Sequence, residues 1–593
     1  MRGLLAAQSA HASGGVAHIP VPSITYLAIL PELLMLGGAL VVLGSSALLR
    51  RRMDPTASAS LAILTGTASL IAGVAQWMDT AAHGPHVTID ASVVQDGFSA
   101  FITILVSCAV IVTAFMGQGW LAREGTDGPE LHALMLVSAL GAMIMGQAND
   151  LILVFLGLEI MSIALYVLAA SNPRRRESGE AALKYFVLGS FSSAVFLYGM
   201  ALVYGATGST NLAQIADYLG RNILLHNGLL LAGIALLLVG FGFKIATVPF
   251  HLWTPDVYQG SPSPVTGFMA AVAKTGGFAA LLRVFVSSFP TVRADWQPII
   301  WVLAVITLLL GAAVGVVQRD VKRMLAYSSI NHAGFILLGL YLVTVRGVSS
   351  SLYYLFTYTF LVMGSFAVVT VVGGLGDTDH DLDTYRGLAR RQPWLAVPMI
   401  IFLLAQAGLP ATTGLWAKVY VIEGVVGTPG GDALAVIAML SAVVAAFFYL
   451  RLVLYMVAGP APAPGTENVG DPLPALLLAT PSSSPLSSAS GSPSSSPLSS
   501  ASGLHEGAHG SALESGADLE AHSGSVATLE TNPGAGSAAN PDMSVAPEEL
   551  EGQPMVPLSI ATAIAICAGF TVLFGIWPSP IVNFAHAATL LLH

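Results

Sequence analysis

An all-α polytopic membrane protein of about fourteen transmembrane helices is the fold class the sequence predicts, and three observations carry it. Of 593 residues, 54% are hydrophobic and only 9% charged, where a soluble globular chain is about a quarter charged. The mean hydropathy is +0.75. Apolar runs of about 20 residues, enough to cross about 30 Å of hydrocarbon as helix, recur along most of the chain.

The runs fall at 24–49, 57–77, 97–118, 131–147, 149–170, 180–205, 227–248, 264–289, 297–318, 324–343, 351–375, 394–427, 432–458 and 557–578. Residues 1–23 carry one Arg and no sustained apolar core, unlike a signal peptide. Asn211–Gly220 and Asp381–Arg391 are amphipathic and too short to span, so they are expected in the interface plane. Cys108 and Cys567 lie far apart in apolar runs, and no CxxC exists; no thiolate metal or iron–sulfur site is expected, and both read as small buried hydrophobes.

Lys and Arg set the orientation. With the N-terminus outside, the odd-numbered loops hold thirteen (Arg50, Arg51, Arg52, Arg123, Arg174, Arg175, Arg176, Arg319, Lys322, Arg323, Arg386, Arg390 and Arg391) and the even-numbered loops three (Arg221, Arg293 and Arg346). Both termini are then periplasmic, and the loop between the last two spans is cytoplasmic. That loop, 459–556, is rich in Pro, Ser, Gly and Ala and repeats PSSSPLSSASG at 481–491 and 493–503. It is expected to be a disordered acidic linker, with His505, His509 and His522 as solvated residues. Eleven acidic residues and no Lys or Arg lie between Pro460 and Val556, so this stretch carries −11 of a formal net charge of −10 and the remainder +1. The rest is close to neutral, and nothing suggests nucleic acid.

Five lysines are present, and four of them, Lys184, Lys244, Lys274 and Lys418, fall inside predicted spans. A lysine at bilayer centre costs about 2.5–3.5 kcal/mol on insertion scales, so drift is a poor explanation, although Lys184 lies one turn from the cytoplasmic edge and can snorkel. Glu159 is the carboxylate inside span 5, Asp150 marks that span's outer edge, and Glu32 follows Pro31 nearer the outer interface. His251 and His332 share the same zone; each alone reads as a core histidine, and among lysines as a relay member. Spans 7 and 12, FKIATVPFHLW and AQAGLPATTGLWAK, place a lysine beside a proline. Proline opens the backbone ladder, which membrane depth tolerates only beside protein or a cavity. Matching interrupted spans suggest two inverted five-helix repeats, 131–289 and 290–458, after a segment of three helices at 24–130 and before the last helix and C-terminus at 557–593.

The runs EAALKYFVLGSFSSAVFLYG, GFGFKIATVPFHLWTPDVYQGSPSPVTGFMAAVAKTGGFAALLR, QRDVKRMLAYSSINHAGFILLG and GLPATTGLWAKVYV resemble the antiporter-like membrane subunits of respiratory NADH–quinone oxidoreductase (complex I), and among them the subunit N family. The resemblance covers 20–458 and the last helix; the long acidic linker departs from it. It implies a proton path through Glu159, Lys184, Lys244, Lys274 and Lys418, with His251 and His332 as possible relays. It also implies a translocase subunit of the bacterial inner membrane with no cofactor of its own, since NADH, FMN, iron–sulfur clusters and quinone are expected in partner subunits. Other membrane subunits and the bilayer are the expected partners. Two charges about 6 Å apart at an effective dielectric of about 20 interact by about 3 kcal/mol, so Glu159 and Lys184 could gate the charge on Lys244. Two readings remain open beside it: an Mrp-type monovalent cation/proton antiporter, which would show sodium-dependent exchange, and a structural scaffold, which would tolerate loss of Lys244.

Overall fold

The computed structural model describes residues 24–48, 53–126, 128–172, 174–222, 227–459 and 556–588. The expectations for 1–23, for Arg50, Arg51 and Arg52, and for the linker with its three histidines lie outside the described residues.

A helix leaves its first N–H groups without partners, and polar residues at the run boundaries take them up. α1 (Tyr26–Leu48) precedes α2 (Pro55–His83), where Asp54 accepts from Thr56 N ahead of a proline at the first helical position. A small antiparallel hairpin follows, β1 (His86–Thr88) on β2 (Val93–Gln95), which hydropathy does not announce. α3 (Gly97–Glu124) opens in a reciprocal cap between Asp96 and Ser99. Next come α4 (Pro129–Gln147), α5 (Leu151–Ala169), capped by Asp150, and α6 (Arg176–Thr207). α7 (Leu212–Arg221), capped by Asn211, is the first amphipathic segment.

Span 7 is broken as expected. α8 (Gly228–Ile245) stops at Ala246 in the left-handed region, and the chain turns before α9 (Trp253–Gly260). The freed polar groups find protein partners: Trp253 Nε1 donates to Phe243 O at 2.9 Å, and Val248 N to Thr307 Oγ1 at 3.0 Å. Span 8 holds an unexpected irregularity. α10 (Ser263–Phe268) passes through a π-helical turn, Met269–Ala273, into α11 (Lys274–Ser288).

α12 (Arg293–Val317), α13 (Val321–Leu342) and α14 (Val345–Val372) follow. The second amphipathic segment is a 3₁₀ turn, Leu382–Tyr385, and the one-turn α15 (Leu388–Arg391). Span 12 is also broken: α16 (Pro393–Ala407) ends at Gly408, φ +94°, and α17 (Thr413–Val425) resumes. α18 (Gly431–Val457), α19 (Leu558–Ile576) and the short α20 (Ser579–Ala587) complete the described chain. Among the described residues thirteen helices are long and apolar enough to cross a membrane, and α16 with its bent partner Leu382–Arg391 brings the number to fourteen.

α10 to α11, α13 and α14 are buried along almost their whole length and form the centre of the bundle. The peripheral helices turn large apolar side chains outward, among them Leu40, Leu64, Phe191 and Val443, as lipid contact requires. Each amphipathic segment is pinned in the same way, Asn211 by a bridge to Asp150 at the start of α5 and Asp381 by a bridge to Asp320 at the start of α13.

Two buried ion pairs tie the bundle. Arg283 in α11 makes a two-pronged bond to Asp96 at 2.9 Å on each prong. The other corrects the sequence reading, which counted Lys322 among the residues of a cytoplasmic loop. Lys322 is the second residue of α13, fully buried, with Nζ 3.1 Å from an Asp377 carboxylate that is equally buried. Asp377 also accepts from Ser263 N and Oγ. A second small correction concerns Cys108, which is partly exposed while Cys567 is buried.

Candidate functional site

Lys244 occupies the last turn of α8, next to the break, and is 3% exposed. Its ammonium donates to Ser162 Oγ at 2.8 Å and reaches Tyr185 Oη at 3.4 Å, lying over the Tyr185 ring. Ser162 stands three residues beyond Glu159 on α5, a spacing that puts both on one helix face. Glu159 itself makes no ion pair with Lys244, and its buried Oε1 has no hydrogen bond among the described residues. A cavity of about 10 Å³ opens beside Lys244, Ser162, Tyr166 and Ser192, about the space one water needs. α11 crosses close by, because a Cβ at Gly277 would stand 2.9 Å from Ile245 and 3.3 Å from Lys244 Cγ.

Lys184 lies apart from this centre. It is 44% exposed and pairs with Glu180 at 2.8 Å and Asp256 at 2.9 Å, while Arg323 holds the other Asp256 oxygen at 2.8 Å. These side chains, with Arg175 and Gln259, line an open cavity of about 300 Å³. Its one link to Lys244 is sequence adjacency to Tyr185. His251 sits in the turn after the α8 break, buried, with no hydrogen bond at Nδ1 among the described residues.

Lys274 begins α11 where the π-helical turn ends. Its ammonium donates to Ser329 O and lies 5.3 Å from the Tyr358 ring centre. The hydroxyl of the same serine accepts from Tyr358 Oη at 2.8 Å and shares a 3.3 Å contact with Tyr258 Oη. One helical turn on, a longer row of polar contacts starts. His332 Nδ1 contacts Tyr354 Oη at 2.7 Å, and its Nε2 contacts Tyr449 Oη at 3.2 Å. Tyr449 meets Ser328 Oγ at 2.5 Å, and Ser328 donates to Gln406 Oε1 at 3.1 Å. Lys418 stands at the end of this row and donates to the backbone carbonyls of Gln406 and Ala407 at 2.8 and 2.9 Å, against the Phe335 ring.

His332, Lys274 and Lys418 are therefore brought into one polar axis, whereas Lys244 is set off from Lys274 by rings. Tyr185 stacks on Trp253 at 4.4 Å and Trp253 meets Tyr258 edge-on at 6.4 Å. Crossing that gap takes a water or a side-chain movement, since ring faces carry no protons. Among the described residues no cluster of His, Cys, Asp and Glu suits a metal ion. Sequence reading missed Ser162, Tyr185, Ser328, Ser329, Tyr354, Tyr449 and Gln406; a hydroxyl or amide inside an apolar run was the available signal.

The family model described as the NADH:quinone oxidoreductase/Mrp antiporter transmembrane region matches residues 148–447, which encloses every lysine of this axis. A curated relative from Trichlorobacter lovleyi, NADH-quinone oxidoreductase subunit N, is 41% identical over 432 residues, covering 72% of this chain and 86% of the relative. The chain belongs to the NADH-quinone oxidoreductase subunit N family. Its fold agrees with that membership. Respiratory complex I from Thermus thermophilus contains a chain 32% identical, with a TM-score of 0.61 over 73% of this chain and 90% of that one. The Mrp complex of a Dietzia species contributes a likeness of fold alone, at 19% identity, TM-score 0.72, covering 95% of this chain and 96% of that chain.

Proposed function

We propose that this chain is a proton-translocating membrane subunit of an NADH:quinone oxidoreductase, carrying protons along Glu159, Lys244, Lys274, His332 and Lys418 while electron transfer from NADH to quinone proceeds in partner subunits. It is a multi-pass protein of the bacterial inner membrane, and the arginine-rich side is taken as cytoplasmic, with both termini opposite. The observation that carries the reading is the buried row in which His332, Tyr449, Ser328 and the Gln406 side chain are hydrogen-bonded in turn, with Lys418 held on the Gln406 backbone carbonyl at its end. A buried polar chain of this kind is costly to keep, and proton transfer gives it a use.

Each residue has a task that follows from its chemistry. The open cavity at Lys184 admits water to Glu180 and Asp256, so protons enter on the arginine-rich side. Glu159 and Lys184 bias the charge on Lys244, the former through the helix face it shares with Ser162. Lys274 accepts across the ring gap, held on the Ser329 carbonyl beside the Tyr358 ring that also packs on His332. His332, bonded at both ring nitrogens, takes a proton at one and releases it at the other. Lys418 is the exit carrier. Titrations along such a chain are coupled, so charge on one member sets the next. The two broken spans and the two pinned amphipathic segments support the paired five-helix repeats, with one lysine at each break. His251, at the first break, is a reserve relay whose Nδ1 has no hydrogen bond among the described residues.

The test is proton pumping together with NADH oxidation in the same membrane vesicles, for Lys244→Ala with assembly verified. The expected result is joint loss of both. Persistence of both would make the buried lysines structural, and sodium-dependent exchange by the purified protein would assign it to the antiporters instead.

A further inference from the structure

On the side of the bundle that carries Arg323, the bridge from Asp320 to Asp381 holds the second amphipathic segment beside the start of α13. The chain then bends by 119° between Leu382–Arg391 and α16. Three arginines lie at the bend. Arg386 donates to Gly459 O at 3.1 Å and lies over the Tyr455 ring. Arg391 donates to the carbonyls of Thr384 and Arg386 at 2.9 Å each. Arg390 is exposed. None of the three pairs with a carboxylate among the described residues.

One turn further on, α16 and α19 leave a groove of about 510 Å³ between them, and every lining side chain is apolar. Trp394 stands at its arginine end, 85% exposed, where tryptophans settle at headgroup level. Val556 borders the same end, and Pro398, Ala561, Ala565 and Ala568 carry the groove along α16 and α19 toward the hydrocarbon zone. Small side chains along α19 make room for it. An apolar channel with a cationic rim complements a molecule that is anionic at one end and hydrocarbon at the other. Guanidinium groups suit phosphate because their fork matches its oxygens.

We propose that this groove is a binding site for an anionic phospholipid, with an acyl chain between α16 and α19 and the phosphate on Arg390 and Arg391. The lipid would brace α16, the half-helix whose far end carries the carbonyls bound by Lys418. The site rests on the chain's being a membrane protein and not on its being a proton carrier, so the two readings fail separately.

The experiment is lipid extraction and mass spectrometry of the purified, assembled complex. Unaltered protein is compared with Arg390→Gln/Arg391→Gln and with Ala565→Phe, which fills the groove and leaves the arginines. All three positions are exposed, so the variants are expected to assemble. The expected result is phosphatidylglycerol or cardiolipin retained by the unaltered complex and lost in both variants, with neutral lipid unchanged in the arginine variant. Equal anionic lipid in all three would overturn the proposal. So would loss of neutral and anionic lipid alike in the arginine variant, or side chains of a neighbouring subunit filling the groove in the assembled complex.

Discussion

His332 Nε2 and the Tyr449 phenol stand 3.2 Å apart, a contact that ties α13 to α18 across the polar axis. Tyr449 is also the 2.5 Å partner of Ser328, four residues before His332 on the same helix face. Tyr449→Phe removes the oxygen and keeps the ring, so the row loses the links to both His332 and Ser328. Proton translocation is expected to slow by at least about fivefold, the equivalent of about 1 kcal/mol in the barrier. Tyr385→Phe is the control, since that buried hydroxyl has no hydrogen bond among the described residues and lies off the axis. Vesicle pumping assays on both variants decide it.

Gly408 at the second break is expected to tolerate no branched side chain. Its φ of +94° disfavours any L-residue, and a Cβ there would stand 3.2 Å from Lys418 Cδ and 3.6 Å from its Nζ. Gly408→Val combines backbone strain of about 1–3 kcal/mol with displacement of the lysine. Pumping is expected to be lost while NADH oxidation by an artificial acceptor persists.

The Lys322–Asp377 pair predicts an acid-sensitive fold. Burial pushes the Asp377 carboxyl up, but Lys322, His380 and Ser263 outweigh it and hold the group well below the usual carboxylate range. Because its value is depressed in the folded state, the stabilisation is present in full above the unfolded value of about 4 and is lost as pH falls below it. Asp377→Asn leaves Lys322 buried without its counter-charge, costing about 3–5 kcal/mol. Thermal unfolding should show a lower transition for the variant near neutral pH and a shallower loss on acidification than in the unaltered protein.

Lys184 separates structure from transport. Its pairs with Glu180 and Asp256 are 44% exposed on the lysine side, and pairs of that kind contribute less than about 1 kcal/mol. Lys184→Met should therefore leave thermal stability nearly unchanged and still slow pumping. Unchanged pumping would remove Lys184 from the path.

Much of this arrangement is legible in the residues. Pro249 and Pro410 announce the two breaks, because proline cannot donate into a helix ladder. Asp150 and Asn211 mark helix starts through capping chemistry that is local in sequence. Scarce lysines in apolar runs point to the axis. What escapes is whatever depends on contacts between distant spans. Nothing near Lys322 tells that Asp377, 55 residues on, buries with it. The π-helical turn before Lys274 has no composition signature, and the partners of His332 come from α14 and α18. Lys184 looks like a neighbour of Glu159 in sequence order, yet the folded chain offers it Asp256 instead.

The ammonium of Lys418 holds the last carbonyls of α16, at Gln406 and Ala407, in the place where the next turn's amides would otherwise be. A cation at a helix C-terminus stabilises that end, and the benefit falls away when the charge leaves. Discharging this lysine therefore loosens the end of a half-helix in the same event. The proton's arrival and departure become a mechanical signal, tightening and slackening a rod that runs from the bilayer middle to its surface, where a neighbouring subunit can feel it.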